Sequence, residues 1–297
     1  MPELPDITVY LDAIATRMIG HRVERIRVFN PFVLRSVEPP LDAASGRPVV
    51  AVRRVGKRIV IELEDALFVV IHLMIAGRLR WLAPDAKIPK RLGLAAIDIA
   101  TGSLLLTEAG TTRRASVTLV EGEAALHAID RGGLNVFDAT PDDFIARLRL
   151  ENHTLKRTLT DPRLFDGIGN AYSDEILHRA KLSPVSLSQR LPDDDAVRLY
   201  HATREVLQEW IDRLRVEAGD GFPAHVTAFR PEMAVHGKYG QPCPVCGTPV
   251  QRIRYATNET NYCARCQTHG KLLADRALSR LLKQDWPKSI DELASSA

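Results

Sequence analysis

At 297 residues the chain is long enough for two or three domains with their own cores, and 45% hydrophobic with 26% charged residues is ordinary for a soluble globular protein. No window of about 18 uninterrupted apolar residues occurs, so no membrane span is expected, and no basic-then-apolar leader pattern opens the chain, which argues for an intracellular, cytoplasmic protein. The net charge of +3 is uneven: residues 236–283 carry eight Lys/Arg against two Asp/Glu, or +6, leaving −3 for the rest, so a basic C-terminal module points to an anionic partner, nucleic acid first.

The chain opens Met1-Pro2-Glu3-Leu4-Pro5-Asp6. Removal of the initiator Met before a small second residue leaves Pro2 as a terminal secondary amine. An α-amino group has a pKa of about 8 against about 10.4 for lysine, so at pH 7.5 roughly a quarter of it is neutral, against about 0.1% of a lysine. A neutral amine attacks an aldehyde-like carbon and forms a Schiff base, which makes Pro2 a candidate nucleophile and Glu3 its candidate acid–base partner. The plainer alternative is that Pro2 and Pro5 form a stiff lead-in to a helix. Asp6 is placed to cap that helix, with Ile7, Leu11, Ile14 and Met18 on one face and Gly20 at its end.

The next hundred residues read as strands over 23–29, 49–55, 58–63, 67–73, 78–82, 95–99, 103–107 and 115–120, short and separated by turn residues. Eight such strands predict a β-sandwich or barrel. Gly56 and Lys57 fall between two of them in a basic run, and a lysine on a hairpin tip either reaches a phosphate as a point charge or is simply solvated. Residues 131–140 break the pattern and read as a linker between a domain over 1–130 and a helical one over 141–235.

In the helical part, Pro141 opens a helix containing Phe144, Ile145, Leu148 and Leu150, and a second run covers 153–159. Gly167 and Gly169 break the backbone just before a helix over 171–180, so the backbone amides and the Asn170 side chain at that helix start are placed to hold a phosphate. A long amphipathic helix over 193–216 offers Val197, Leu199, Tyr200, Val206, Leu207, Trp210, Ile211 and Leu214 as core residues. Residues 219–233 are punctuated by Gly and Pro and read as a mobile loop. All four cysteines then fall together, as Cys243-x2-Cys246-x16-Cys263-x2-Cys266, within a module over 236–270. Two-residue spacing lets both sulfurs of a pair reach one ion, and four thiolates satisfy tetrahedral Zn²⁺ with no open position, so the metal is structural, one per chain. A pair of disulfides is the alternative, disfavoured in an intracellular protein. Residues 271–297 form an extension, with a short amphipathic helix expected over 275–283.

Three stretches in order, the start Met-Pro-Glu-Leu-Pro, the segment Gly-Ile-Gly-Asn-Ala-Tyr-Ser-Asp-Glu-Ile-Leu and the four-cysteine finger, resemble the formamidopyrimidine-DNA glycosylase/endonuclease VIII family over residues 1 to about 270. The resemblance implies an α+β multidomain fold: an N-terminal β-sandwich, a helix–two-turn–helix domain and a zinc finger, with damaged duplex DNA in the cleft between and the protein acting as a monomer. It implies excision of oxidised bases followed by nicking of the abasic strand through β- or β,δ-elimination. Pro2 matches the nucleophile, Glu3 the assisting carboxylate, Lys57 a hairpin lysine that contacts DNA near the lesion, and Asn170 the turn residue that binds backbone phosphate.

Some positions depart from the family's pattern. Asp6 stands where the purine-repair branch usually has Glu. Of the wedge that fills the void left by a flipped base, the Met position holds Ile75 beside Met74, Arg113 is retained, and Ala115 replaces Phe. An arginine five residues before the third cysteine is replaced by Asn258, with Arg252 and Arg254 close by. A lost aromatic removes stacking worth about 1–3 kcal/mol per base. That loss, and a loop over 219–233 that is short for the 8-oxoguanine branch, tilt the expectation toward oxidised pyrimidines or abasic sites. A damaged-DNA-binding protein with little turnover on the same scaffold is the alternative reading; a zinc-ribbon interaction protein would explain the cysteines but not the amino terminus.

Overall fold

In the computed structural model of the protein the described residues are 1–84, 86–89, 91–109, 112–256, 258–275 and 287–295, and the chain divides into two compact units. The first holds residues 1–131 together with 210–227, the second residues 132–209 together with 228–297.

The first unit begins with α1 (Leu4–Met18), whose apolar stripe Ile7, Tyr10, Ile14 and Met18 is fully buried in the largest core cluster. The helix starts earlier than expected. Glu3 is its N-cap, and Asp6, in the first turn, reaches back to accept the Glu3 backbone N–H at 3.0 Å, so the expected capping by Asp6 is corrected to a supporting role from the third helical position. Eight strands follow: β1 (Val23–Val28), β2 (Val49–Val55), β3 (Arg58–Leu63), β4 (Leu67–His72), β5 (Gly77–Leu82), β6 (Gly93–Ile99), β7 (Gly102–Glu108) and β8 (Ser116–Glu121). They make two antiparallel four-stranded sheets, ordered β1-β6-β7-β5 and β2-β3-β4-β8. Alternate residues Ile59, Ile61 and Leu63 on β3, and Val69 and Ile71 on β4 with Leu73 just beyond, share one core with Ile97, Leu104 and Leu106 of the other sheet, as a sandwich requires. The opposite faces of the same two strands are covered too: Val60, Phe68 and Val70 pack with Leu126 of α2 (Glu123–His127).

Register decides what meets at the sheet's end. Arg58 pairs with His72, and His72 with Ser116. The Gly56–Lys57 tip, the turn after β4 and the segment before β8 therefore leave the sheet from one row. Gly77, which closes the turn after β4, is required there, because a Cβ would lie 2.2 Å from the Leu73 carbonyl oxygen.

The segment expected to be a mobile loop over 219–233 is tied down in its first half. Phe222 lies 5.7 Å from the Tyr10 ring and 6.4 Å from Trp81, with the Arg17 guanidinium 5.7 Å over it. Arg17 also donates to the Asp220 carbonyl, Arg78 Nε donates to the Val226 carbonyl at 2.5 Å, and Val226 joins the core. An aromatic between Gly221 and Pro223 reads as loop sequence, yet it packs, partly buried, against the core.

The second unit contains α3 (Pro141–Leu148), α4 (Leu155–Thr160), α5 (Asn170–Arg179) and the part of α6 (Asp193–Ala218) up to Glu209. Thr140 and Asp143 form a reciprocal cap on α3, and Phe144 packs on Phe165 and Tyr200. Leu150, expected in that helix, lies beyond its end and is 63% exposed. Of the residues read as linker, those from Gly132 on lie within this unit: Leu134 exchanges backbone bonds with Leu164 and Asp166, and Val136 is wholly buried.

The finger follows as a hairpin of β9 (Gln251–Arg254) and β10 (Glu259–Tyr262) with α7 (Ala264–Thr268). The extension returns to it. Lys271 pairs with Ser289, and Ile290 at the start of α8 (Ile290–Ser295) completes an apolar cluster with Ile253, Tyr262, Ala264 and Leu272. The helix expected over 275–283 lies outside the described residues from 276 on.

The row at the sheet's end has an electrostatic consequence. Burial, with Arg58 and Lys57 nearby, pushes His72 down to about 4. The folded chain thus keeps His72 neutral where the unfolded chain, titrating near 6.5, takes up a proton; stability is full above that value and is lost as the pH falls toward 4. At pH 4.5 the loss from this one group is about 2–3 kcal/mol. In urea unfolding, His72→Gln should therefore lose about 2–3 kcal/mol less than wild type between pH 7 and 4.5. Equal losses would show that His72 does not titrate in that window.

Candidate active site and nucleic-acid interface

In the first unit the candidate catalytic residues Pro2 and Glu3 lie at the start of α1, and Lys57, the third, lies between β2 and β3. Pro2 is buried, and the Glu3 and Asp6 carboxyl residues are each only 2% exposed. Two carboxylates withdrawn from water beside an amino terminus are an expensive arrangement unless charge or chemistry uses them. With Met1 in place the terminal amine stands one residue ahead of Pro2. Its pKa is lowered: burial is the largest cause, Glu3 and Asp6 work against it, and Arg78 and Lys57 add to it. The terminus thus sits where a neutral amine is favoured.

Lys57 lies on the β2–β3 tip, whose turn rests on Gly56 with φ +62°. Ile75 sits on the turn after β4 and is 62% exposed. Met74 before it adopts φ +52°, a left-handed conformation that costs a side-chain-bearing residue about 1–2 kcal/mol. Arg78 donates to the Ile75 carbonyl at 3.2 Å and so braces the turn from the following strand. Arg113 is exposed and donates to the Arg91 carbonyl. The next two backbone N–H groups, of Arg114 and Ala115, are held by the buried Glu108 carboxylate at 2.8 and 3.0 Å. Ala115 itself is buried, so nothing aromatic stands at that position to meet a base.

Sequence reasoning missed Arg78. It braces the Ile75 turn, ties the Val226 carbonyl, and contributes to the field at the amine. The available signal was a strand, Gly77-Arg-Leu-Arg-Trp-Leu82, whose arginines alternate with apolar residues; that pattern also fits a solvated sheet face.

In the second unit Asn170 is the first residue of α5, with Gly169 as N-cap and Gly167 at φ +79° turning the chain into it. Its Nδ2 donates to the Glu259 carbonyl of the finger at 3.0 Å. On the hairpin, Arg254 and Asn258 are exposed, and the Tyr255 N–H to Asn258 carbonyl bond closes the turn between them. Arg252 lies over the Tyr239 ring at 4.1 Å and faces Glu259 at 3.5 Å.

The ligand atoms of Cys243, Cys246, Cys263 and Cys266 lie within 4.8 Å of one another, with 3.9 Å between Cys243 and Cys266 and 3.4 Å between Cys246 and Cys263. A tetrahedron with Zn–S bonds of about 2.3 Å has edges of about 3.8 Å, so the set fits one zinc ion with every position filled by protein. Neighbouring donors fit thiolates as well: the Cys266 N–H points to Cys263 Sγ at 3.5 Å, and His178 Nε2 lies 3.3 Å from Cys243 Sγ.

Comparison with known proteins gives the kinship of the chain. Residues 1–168 match the formamidopyrimidine-DNA glycosylase N-terminal domain, residues 135–218 the formamidopyrimidine-DNA glycosylase H2TH domain, and residues 240–268 the zinc finger found in FPG and IleRS. The cysteine cluster is accordingly the site of one structural zinc. Among curated relatives, the formamidopyrimidine-DNA glycosylase of Variovorax paradoxus is 34% identical over 288 residues, covering 90% of this chain and all of that one. That of Heliobacterium modesticaldum is 32% identical over 280 residues, with the same coverage. Among solved structures, a complex of Lactococcus lactis Fpg with abasic-site DNA has a TM-score of 0.79 at 23% identity, covering 90% of this chain and 99% of that one. A complex of LlFpg with a THF-DNA and an inhibitor reaches 0.80 at 24%, covering 90% of this chain and all of that one. At such identities the structures carry the fold, an α+β arrangement of sandwich, helix–two-turn–helix and finger, and the sequence matches carry the kinship: the chain belongs to the formamidopyrimidine-DNA glycosylase family.

Proposed function

We propose that the protein is a bifunctional DNA glycosylase and abasic-site lyase of base-excision repair, acting on oxidised bases or abasic sites in duplex DNA. The carrying observation is the start of α1, where Pro2 is buried next to Glu3 and close in sequence to Asp6, two carboxyl residues each only 2% exposed. Structures of relatives bound to abasic-site DNA and to Fapy-dG-containing DNA support the choice of substrate.

After removal of Met1 the Pro2 nitrogen attacks the deoxyribose C1′, the bond to the damaged base breaks, and the base leaves with a proton. Glu3 assists ring opening and the accompanying proton transfers. The iminium so formed acidifies the C2′ proton; its loss expels the 3′-phosphate, a second elimination expels the 5′-phosphate, and water returns Pro2 as the free amine. Because C1′ is out of reach in a stacked duplex, the nucleotide must flip out, and Ile75 with Arg113 is placed to enter the gap. Lys57, Asn170, Arg254 and Asn258 contact the DNA backbone. Ala115, buried where an aromatic is expected, supports abasic sites and oxidised pyrimidines as the favoured substrates. The same observation supports a second reading, a damage-binding protein with weak turnover.

The free terminus is the first test. A residue left ahead of Pro2 turns its nitrogen into a tertiary amide, whose delocalised lone pair has no useful basicity. Retained Met1 or an uncleaved tag should abolish base excision and borohydride trapping on abasic DNA, with duplex affinity changed less than about threefold. Trapping through Lys57 in the blocked protein would refute the mechanism, and a processed protein that binds but never traps would favour the second reading. Arg113→Ala should reduce excision from paired duplex at least about tenfold more than nicking at a preformed abasic site; equal losses would make Arg113 a phosphate contact only. Cys263→Ser should release the zinc and abolish specific duplex binding while the first unit keeps its cooperative unfolding. Full activity with substoichiometric zinc in fresh wild-type protein would contradict that dependence.

A further inference from the structure

Asn170, Asp174 and His178 recur every four residues and so lie on one face of α5, and each meets a different part of the finger module. Asn170 donates to the Glu259 carbonyl at the start of β10. Asp174 Oδ2 accepts from His236 Nδ1 at 2.8 Å and from the Asn261 backbone at 3.2 Å, with the Asn261 side-chain amide at 3.4 Å. His178 reaches Cys243 Sγ. Beside the stripe, Glu175 accepts three consecutive backbone N–H groups, from Ala234, Val235 and His236, at 2.8–2.9 Å.

Asp174 is the centre of this set. Its side chain is wholly buried, and Lys156 Nζ balances its charge at 2.5 Å while donating also to the Asn170 carbonyl at 2.5 Å. A buried carboxylate with donors from α4, from the segment before the finger and from β10 fixes three pieces of chain to one helix. An amide NH₂ has two donors; the bond to Glu259 fixes the plane of the Asn170 group and with it the direction of the second N–H.

We propose that α5 is the mount of the zinc finger and that Asp174 is a positioning residue, holding the finger hairpin so that Glu259 orients the Asn170 amide and helix start and hairpin act as one phosphate clamp. The proposal rests on the reading of Asn170 as a phosphate contact, but the orientation it describes exists without DNA and is testable without it.

The experiment compares full-length, zinc-loaded protein carrying Asp174→Asn, His236→Ala or His236→Asn, the last keeping a donor near the position of Nδ1. The readouts are zinc content, the side-chain amide signal of Asn170 by NMR, and affinity for a duplex with an abasic analogue, with and without Asn170→Ala. Asp174→Asn and His236→Ala should each retain one zinc, shift the Asn170 amide signal toward that of a free amide, and weaken duplex binding about tenfold; His236→Asn should restore both. Asn170→Ala should weaken wild type about tenfold but either loosened variant less than about twofold further, the non-additivity expected when one residue acts through another. An Asn170 signal unmoved in His236→Ala, or effects that multiply independently, would overturn the proposal. Should the signal shift while Asn170→Ala alone leaves affinity intact, the positioning stands and the phosphate-contact reading falls. If Asp174→Asn sheds its zinc, the two His236 variants decide between these outcomes.

Discussion

Four side chains of α1, Ile7, Tyr10, Ile14 and Met18, disappear into the core of the sandwich, and their burial fixes where the amino terminus lies. Each large apolar side chain so buried is worth about 1.5–3 kcal/mol, far more than any single polar contact at the helix start. That surplus lets the first turn hold what it otherwise could not: two nearly buried carboxyl residues, Glu3 and Asp6, next to the chain's only α-amine. Tyr10 ties the helix to the sheet directly, its hydroxyl accepting the Leu79 N–H at 3.3 Å, and the residue before Leu79 is Arg78. Position of the terminus and charge around it are thus set by the same contact between α1 and β5.

The turn after β4 shows a different compromise. Met74 takes a conformation that glycine would hold freely, and Gly77 supplies the close approach that no other residue permits. The outcome is Ile75 thrust into solvent on a turn braced at both ends, by Gly77 N–H to the Leu73 carbonyl and by Arg78 to the Ile75 carbonyl. A branched aliphatic side chain has few rotamers, so Ile75 is held stiffly in its exposed position. Ala115, by contrast, is turned into the core.

Most of the sandwich was legible in the sequence. Strands such as β2 and β3 announce themselves by β-branched alternation and a Gly-containing turn, and their observed limits coincide with the expected ones. The finger was legible because metal geometry leaves few alternatives to paired cysteines at short spacing. What escaped depended on partners far along the chain. Phe222 and Val226 sit in a stretch rich in Gly and Pro; Phe222 packs on Tyr10 and Trp81, and Val226, held by Arg78, joins the core. Asp174 and Glu175 read locally as the solvated face of a helix, whereas all their donors but Lys156 come from residues about sixty or more positions later. Leu150 erred the other way: periodicity extended the helix to it, but α3 ends two residues earlier. The four candidate contacts Lys57, Ile75, Arg113 and Asn170 were located by resemblance; the sheet register explains why the first three share one end of the sandwich.

The first unit is not continuous in the chain. All eight of its strands are made by Glu121, but Trp210–Thr227 belongs to it as well. On the ribosome, then, a sheet sandwich with every strand present must wait through roughly another hundred residues, at about 5–20 residues per second, before Phe222 can cover Tyr10 and Trp81. During those several seconds the helix start that carries Pro2 rests on an unfinished core, and the intervening helices are synthesised while that apolar face is still open. Completion of the surroundings of Pro2 is therefore a late event in biogenesis, although Pro2 is among the first residues made.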